Sequence, residues 1–410
     1  MQQLFAVVLA LVMLPFLLKC RIPSGWAILF LGVFAGIMAG FSAGEISEAF
    51  FNVFLNWSSL SSVLTVIQIA LLGALMTHYG LFRRAEDALK QVLPAPKVII
   101  MLMPSLIGVL QVPGGAALSA PFCNNIGKEM GLSNSQRSNT NVICRHLFSL
   151  FLPFSAWVIQ VKDMSPGMDK RIFMLAGMCF TAVNVAGTYL FFLRKARKPD
   201  LPIISRSDRL RAFGTLLTVL SPILTVIVLN NIANLPVVLC VPFAILVTYI
   251  LSDRKHFAKE ILQKVNKNLA VMIVGVYFFQ NIVKQMDLLM ALGSNVLLGS
   301  SESVFLLGVA IIAVLFGMAT GLIYVSLSVL LPIVASAFSA DSAVMTIVVF
   351  YVFCWSYIGY MFSPVHMCQL LSDKECGCTV AERYRTYLPM MALLAITSVM
   401  LYWIMSLLLC

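Results

Sequence analysis

Apolar runs of membrane-spanning length follow one another along almost the whole chain, and this limits the fold before any motif is read. A span takes roughly 20 predominantly apolar residues. Such runs occupy 3–18, 24–41, 59–80, 138–160, 172–193, 212–230, 235–251, 268–285, 342–362 and 386–409 of the 410 residues. Only 11% of residues are charged and 60% are hydrophobic, whereas soluble domains carry roughly 25% charged residues. A chain of this make-up cannot cover a surface that faces water, and no stretch is long and polar enough to form a separate soluble domain. The sequence predicts an all-α polytopic membrane protein with about ten transmembrane helices. The first run, "LFAVVLALVMLPFLL", is preceded by "MQQ" without a positive residue and followed by no small-x-small cleavage pattern. It is therefore expected to be a retained span rather than a signal peptide.

Two further apolar stretches, about 98–130 and 303–337, are too long for one span and are interrupted in the middle. The interruptions read "QVPGGAALSAP" (111–121) and "FGMATGLIYVS" (316–326). If both stretches are re-entrant hairpins, the loops at 19–23, 81–97, 128–137, 194–211, 252–267 and 373–385 fall on one side and hold 23 of the 28 Lys and Arg residues. The other side holds seven acids: Glu45, Glu48, Asp163, Asp169, Asp287, Glu302 and Asp341. If the stretches crossed fully, "RKARKPD" (194–200) would face out, against the positive-inside rule. The hairpin arrangement follows, with both termini outside. On this reading the net charge of +11 sets topology and predicts no nucleic-acid partner.

The topology repeats. Residues 1–193 read as three spans, a hairpin, a broken span (about 138–160) and a span. After a basic linker at 194–211, residues 212–410 give the same order from the opposite side, with a hairpin at about 303–337 and a broken helix at about 342–368. Pro121 precedes Pro153 by 32 residues, and Pro332 precedes Pro364 by 32 residues. The amphipathic stretches 45–57 and 254–267 also correspond, as struts along the membrane surface. Two halves of opposite orientation are the inverted repeats of secondary transporters.

Irregular backbone at membrane depth is tolerated only where it is buried in protein or lines a wet cavity. Half-helix N-termini there attract anions, and freed carbonyls suit Na⁺. The alternative, ordinary kinks and close-packing glycines, explains one Gly-Gly pair more readily than four interruptions at matching places. No Asp or Glu lies in the core of any assigned span; the ionisable groups there are Arg145, His146 and His366. Arg145 either touches solute or snorkels to the interface, His366 either contacts solute or bonds a freed carbonyl, and Lys284 is expected to snorkel. The expected solute-binding residues are Pro113, Gly114, Gly115, Ser119, Asn124, Arg145, His146, Ser149, Ser155, Gly317, Thr320, Gly321, Ser326, Ser363 and His366. Hydroxyls and amides also gather at the breaks in Gln111, Asn125, Tyr324 and Ser356. Basic groups without facing carboxylates point to a small anionic solute. No cofactor is expected beyond a coupling ion, either H⁺ carried by a histidine or Na⁺ on backbone carbonyls near Gly115 and Gly321.

The ten cysteines are scattered without a disulfide pattern, and Cys376-Gly-Cys378 with His366 supplies too few neighbouring ligands for structural zinc, so no metal site is assigned. An intramembrane enzyme is disfavoured: there is no His-Glu-x-x-His, and Ser363 with His366 alone is a thin dyad. A channel is disfavoured because inverted repeats more often accompany alternating access. The main alternative is a carrier of inorganic, phosphorylated or lipid-linked phosphate anions.

"VPGGAALSAPF", "RHLFSLFLPF" and "GYMFSPVHMCQLL" resemble an uncharacterised branch, domain of unknown function 401, of the ion transporter superfamily, which also holds the gluconate, citrate, lactate and dicarboxylate permeases. The resemblance covers essentially the whole chain. It implies two inverted repeats, a homodimer with scaffold and transport regions, and elevator-like movement of an organic anion coupled to Na⁺ or H⁺. It also implies a solute held among Pro113 to Pro121, Arg145 to Ser155, Gly317 to Ser326 and Ser363 to His366. The host membrane is expected to be a bacterial or archaeal cytoplasmic membrane. The Ser-Asn-Thr motif that some carboxylate-carrying relatives place in both halves occurs once, at 138–140, without a partner in the second half.

Overall fold

The structure is a computed structural model that describes residues 2–20, 22–93, 95–109, 116–197, 205–253, 256–286, 302–338 and 342–409. The described secondary structure is helical. The first half contains α1 (Gln2–Lys19), α2 (Ser24–Ala39), α3 (Ala43–Leu55), α4 (Trp57–His78), α5 (Leu81–Val92), α6 (Pro96–Gly108), α7 (Ala116–Glu129), α8 (Asn134–His146), α9 (Ala156–Met164) and α10 (Lys170–Thr188). The second contains α11 (Arg206–Asn231), α12 (Val237–Leu251), α13 (Phe257–Lys264), α14 (Lys267–Lys284), α15 (Glu302–Thr320), α16 (Ile323–Ala337), α17 (Ser342–Phe362), α18 (Met367–Cys376) and α19 (Val380–Leu409). Among the described residues, six helices are long and apolar enough to cross a membrane: those at Trp57–His78, Lys170–Leu193, Arg206–Asn230, Ser303–Thr320, Ser342–Cys376 and Val380–Leu409.

Helix starts follow local chemistry. Ser42 accepts from the Glu45 amide while Glu45 accepts from Ser42, a capping box that starts α3. Those bonds hold the exposed Glu45 carboxyl below its ordinary range. Ser133 and Gln136 form the same box at α8, and Asn56, Asp169, Ser205 and Asn266 cap α4, α10, α11 and α14.

The order of α1–α4 recurs in α11–α14, and that of α6–α10 in α15–α19. Packing across the two series is reciprocal: α2 lies on α14 and α12 on α4; α3 lies on α14 and α13 on α4; α7 lies on α18 and α16 on α9. Each hairpin packs on the long half of a broken helix, α6 and α7 on α8, and α15 and α16 on α17. One buried apolar cluster joins α1–α4 to α14 and reaches Val325 and Val329 of α16. The largest gathers the hairpins, the broken helices, α10 and α19.

Several expectations are revised. The loop predicted at 81–97 contains α5, whose Leu81, Phe82, Ala85, Ala88 and Leu89 are buried on one face. Pro121 and Pro332, equivalently placed in the two halves, both sit inside helical arms of the hairpins. The arms of the first hairpin have 13 and 14 residues, but α15 of the second has 19, roughly 28 Å at 1.5 Å per residue. Its length therefore does not confine it to one side of a bilayer.

Gly317 lets the second hairpin approach α17: a Cβ there would lie 2.6 Å from the backbone nitrogen of Tyr360. Gly317→Ala is expected to separate α15 from α17 and lower stability by about 1–3 kcal/mol. Thermal unfolding in detergent checks this against Gly308→Ala in the same helix, where an added Cβ meets nothing within 4 Å and the melting temperature should not fall.

Candidate functional site

The two breaks face each other. The first runs from His146, the last residue of α8, through a 3-10 turn at Phe148–Leu150 to Ser155, which precedes α9. The second runs from Phe362 through Ser363, Pro364 and Val365 to His366, which precedes α18. Proline lacks an N–H, so neither Pro153 nor Pro364 can continue a helical bond. Ser363 restrains its turn by donating to the Met318 carbonyl at 2.7 Å and accepting from the Val365 amide at 3.2 Å. In the first break, Ser155 donates to the Ser149 carbonyl at 2.9 Å.

Rings close the space between the breaks. His146 lies 5.3 Å from Trp157 of α9, 5.4 Å from Tyr360 of α17 and 5.3 Å from His366, measured between ring centroids. The Tyr360 ring lies 4.0 Å from His366, and its hydroxyl is 3.4 Å from Nε2 of His146. His146 is 7% exposed and His366 is 1% exposed, and neither ring nitrogen of His366 has a hydrogen-bond partner among the described residues. Arg145 is buried, and its guanidinium lies within electrostatic reach of both imidazoles. Neither Ser155 nor His366 makes a side-chain capping bond to the half-helix it precedes. Two half-helix N-termini, with their partial positive charge, thus converge on one aromatic and basic cluster.

The second hairpin reaches this cluster through its turn. Gly321 adopts φ +62°, and a Cβ there would lie 3.1 Å from the backbone nitrogen of His366. Thr320 completes the turn by accepting from the Leu322 amide at 3.2 Å. Gly108 of α6 packs so closely on the Arg145 carbonyl that it has no room for a side chain, and Ser105 donates to the Cys144 carbonyl at 2.8 Å.

The sequence-predicted residues therefore divide. Arg145, His146, Ser149, Ser155, Thr320, Gly321, Ser363 and His366 lie at the breaks or at the hairpin turn against them. Ser119 is buried in α7. Asn124 is not brought to the cluster; its amide donates to the Glu375 carbonyl at the far end of α18, at 3.0 Å. Gly317 and Ser326 hold helices together, Ser326 through a 2.8 Å bond to Ser356. Pro113, Gly114, Gly115 and Gln111 lie outside the described residues.

Sequence reasoning missed a buried polar seam between α8 and α18. Ser138 donates to Asp373 at 2.6 Å, Asn141 to Ser372 at 2.7 Å, and Gln369 to Ser138 and Asp373 at 3.1 and 3.0 Å. Arg383, 1% exposed, completes the seam with a 2.7 Å salt bridge to Asp373. Arg137 is also buried, bonded to Asn134 at 2.6 Å and to the Leu132 carbonyl. Segments 128–137 and 373–385 were expected to be solvated basic loops; instead their hydrogen-bonding partners draw Arg137, Asp373 and Arg383 inside. A second carboxylate, Asp163 of α9, accepts from Ser62 of α4 and, at 2.8 Å, from Tyr277 of α14.

Residues 3–408 match the family model described as "Protein of unknown function (DUF401)". No curated protein matches. Among solved structures, the crystal structure of the Alcanivorax borkumensis YdaH transporter is similar at a TM-score of 0.55 and 16% identity, over 88% of this chain and 89% of that one. The likeness is one of fold, an all-α polytopic membrane architecture.

Removing one partner of a buried ion pair leaves the other charge uncompensated. Asp373→Asn is therefore expected to lower stability by about 3–5 kcal/mol. The pair Asp373→Leu with Arg383→Met should lose less than Asp373→Asn alone. Thermal unfolding of the three proteins decides it, and an equal or larger loss in the double variant contradicts the assignment.

Proposed function

The chain belongs to the DUF401 family, and on that premise we propose that it is a secondary active transporter of a small organic anion of carboxylate type. The observation that carries this reading is the convergence of the α9 and α18 N-termini, with Arg145, on the His146–His366 cluster. An anion placed between the breaks meets two helix-terminal partial charges and a guanidinium with the fork geometry suited to carboxylate. The nearby Asp373 is held by Arg383 and Ser138, so its charge does not oppose an anion as a bare carboxylate would. The YdaH transporter has a similar fold, which supports transport over intramembrane catalysis.

On this reading the two series of helices are inverted repeats of an ion transporter superfamily member, with both termini outside a bacterial or archaeal cytoplasmic membrane. The cluster of α1–α4 and α14 acts as the scaffold of a homodimer. The hairpins and broken helices carry the solute in an elevator movement coupled to Na⁺ or H⁺. Carriage of phosphate or phosphorylated anions would use the same positive charges.

Purified protein in detergent is expected to melt at higher temperature with the transported anion, by an amount that grows with RT ln(1 + [L]/Kd). A panel of carboxylates and phosphates, each with and without Na⁺, identifies the class. Arg145→Ala and His366→Ala are each expected to lower uptake into proteoliposomes at least about tenfold, the equivalent of about 1.4 kcal/mol, and to remove the thermal shift. Retained uptake in both variants would refute the site.

A further inference from the structure

His146 is more than 200 residues from His366 and Cys368 in sequence, yet one ligand atom from each of the three lies within 4.8 Å of the other two. We propose that these residues form a binding site for a transition-metal ion of the Zn²⁺ class at the meeting point of the two breaks. The donor set is two imidazole nitrogens and one thiolate sulfur, which selects borderline or soft metals over Na⁺, Mg²⁺ or Ca²⁺.

A second observation supports a ligand here. Both ring nitrogens of His366 are buried without a hydrogen-bond partner among the described residues, on a side chain that is 1% exposed. A buried polar group without a partner is costly, and coordination would satisfy one of these nitrogens. Zn–N bonds of about 2.0–2.1 Å and Zn–S bonds of about 2.3 Å place tetrahedral ligand atoms roughly 3.3–3.6 Å apart. The three side chains therefore need to close by no more than about 1.5 Å on binding. Cys368 is in the first turn of α18, two residues beyond His366, and is only partly buried, so its thiol can rotate inward. The Tyr360 hydroxyl, 3.4 Å from Nε2 of His146, serves as the outer partner that orients a ligating imidazole.

Three protein ligands leave the fourth tetrahedral position open, as in sites where zinc meets an exchangeable ligand. Zn²⁺ with one thiolate retains a single positive charge, and Arg145 adds another nearby, so the open position favours an anion. The metal would tie the end of α8 to the start of α18. The inference stands on the positions of three donors and does not depend on transport.

The test uses purified full-length protein without solute, titrated with Co²⁺ as a spectroscopic probe and then with Zn²⁺ in competition. One equivalent of Co²⁺ should bind, with a thiolate-to-metal charge-transfer band and the d–d intensity of a tetrahedral site, and Zn²⁺ should displace it. Cys368→Ser should abolish the charge-transfer band, and His366→Gln should weaken binding by at least about 10–100-fold, the range seen even for outer-partner changes. Thermal unfolding confirms that both variants are folded. Absence of the thiolate band in wild-type protein overturns the proposal, and that result needs no variant. Undiminished affinity in both folded variants also overturns it and assigns the metal to a surface group such as His78 and Glu260. Failure of metal binding would leave the anion reading intact, because that reading is measured by uptake and anion-dependent melting.

Discussion

A helix interrupted at membrane depth must satisfy its loose backbone groups without lipid-facing water, and the rest of the architecture depends on how this is done. At the second break, Ser363 supplies a bond to the hairpin and another to its own turn. At the first, Ser155 and Ser149 close the backbone on itself. The hairpins then seal both breaks from outside, and this requires glycine. Gly108 lies on the Arg145 carbonyl, Gly317 on Tyr360, and Gly321 on His366. The glycines are thus spent on letting one backbone approach another, and the hairpins exist to cover what the breaks expose.

The large elements were legible because their cause is local. Runs of apolar residues mark most helices, Pro153 and Pro364 mark the two broken helices, and Gly321 marks the turn of the second hairpin. His146 and His366 stood out because an ionisable group inside an apolar run has few structural uses. The polar seam was not legible, because residues 134–137 were assigned to a loop and 138–146 to a span, and nothing local shows that the polar side chains of "NSQRSNTN" (134–141) are buried against a partner. Its burial depends on Asp373, Gln369 and Ser372, more than 200 residues away. The capping box at Ser133 and Gln136 was the one local sign that a helix begins there. Likewise α5 carried a readable apolar face at helical spacing but was hidden by its charged face, which charge counting assigned to a loop. Cys368 could not be grouped with His146 from sequence, since only the fold brings the second break to the end of α8.

Burial of the seam also changes the charge argument. Counting Arg137 and Arg383 as solvated loop charges favours one side of the membrane, but both side chains are buried and bonded. Enough lysine and arginine remains in the other segments for the asymmetry to persist. What changes is the meaning of these two residues: Arg383 neutralises a buried carboxylate, and Arg137 ties α8 to its own capping loop.

The two half-helices share one further feature that connects the seam to the site. Each carries a single aspartate beyond its break, Asp163 in α9 and Asp373 in α18. Seven or eight residues of helix separate these carboxylates from Ser155 and His366, roughly 10–12 Å at 1.5 Å per residue. An acid near a helix C-terminus opposes the macrodipole, so each needs donors from elsewhere. Asp163 takes them from Ser62 and Tyr277, and Asp373 from Ser138, Gln369 and Arg383. Both carboxyls are thereby held at the far ends of the half-helices. Arg145, the two imidazoles and the positive helix termini are left facing one another where the breaks meet. Apart from Gln369 of α18 itself, the donors that hold the acids come from α4, α8, α14 and α19, so the same bonds also anchor the half-helices. The anchoring of the far ends thus keeps both carboxyls about 10–12 Å along the helices from the N-termini that meet Arg145 at the centre.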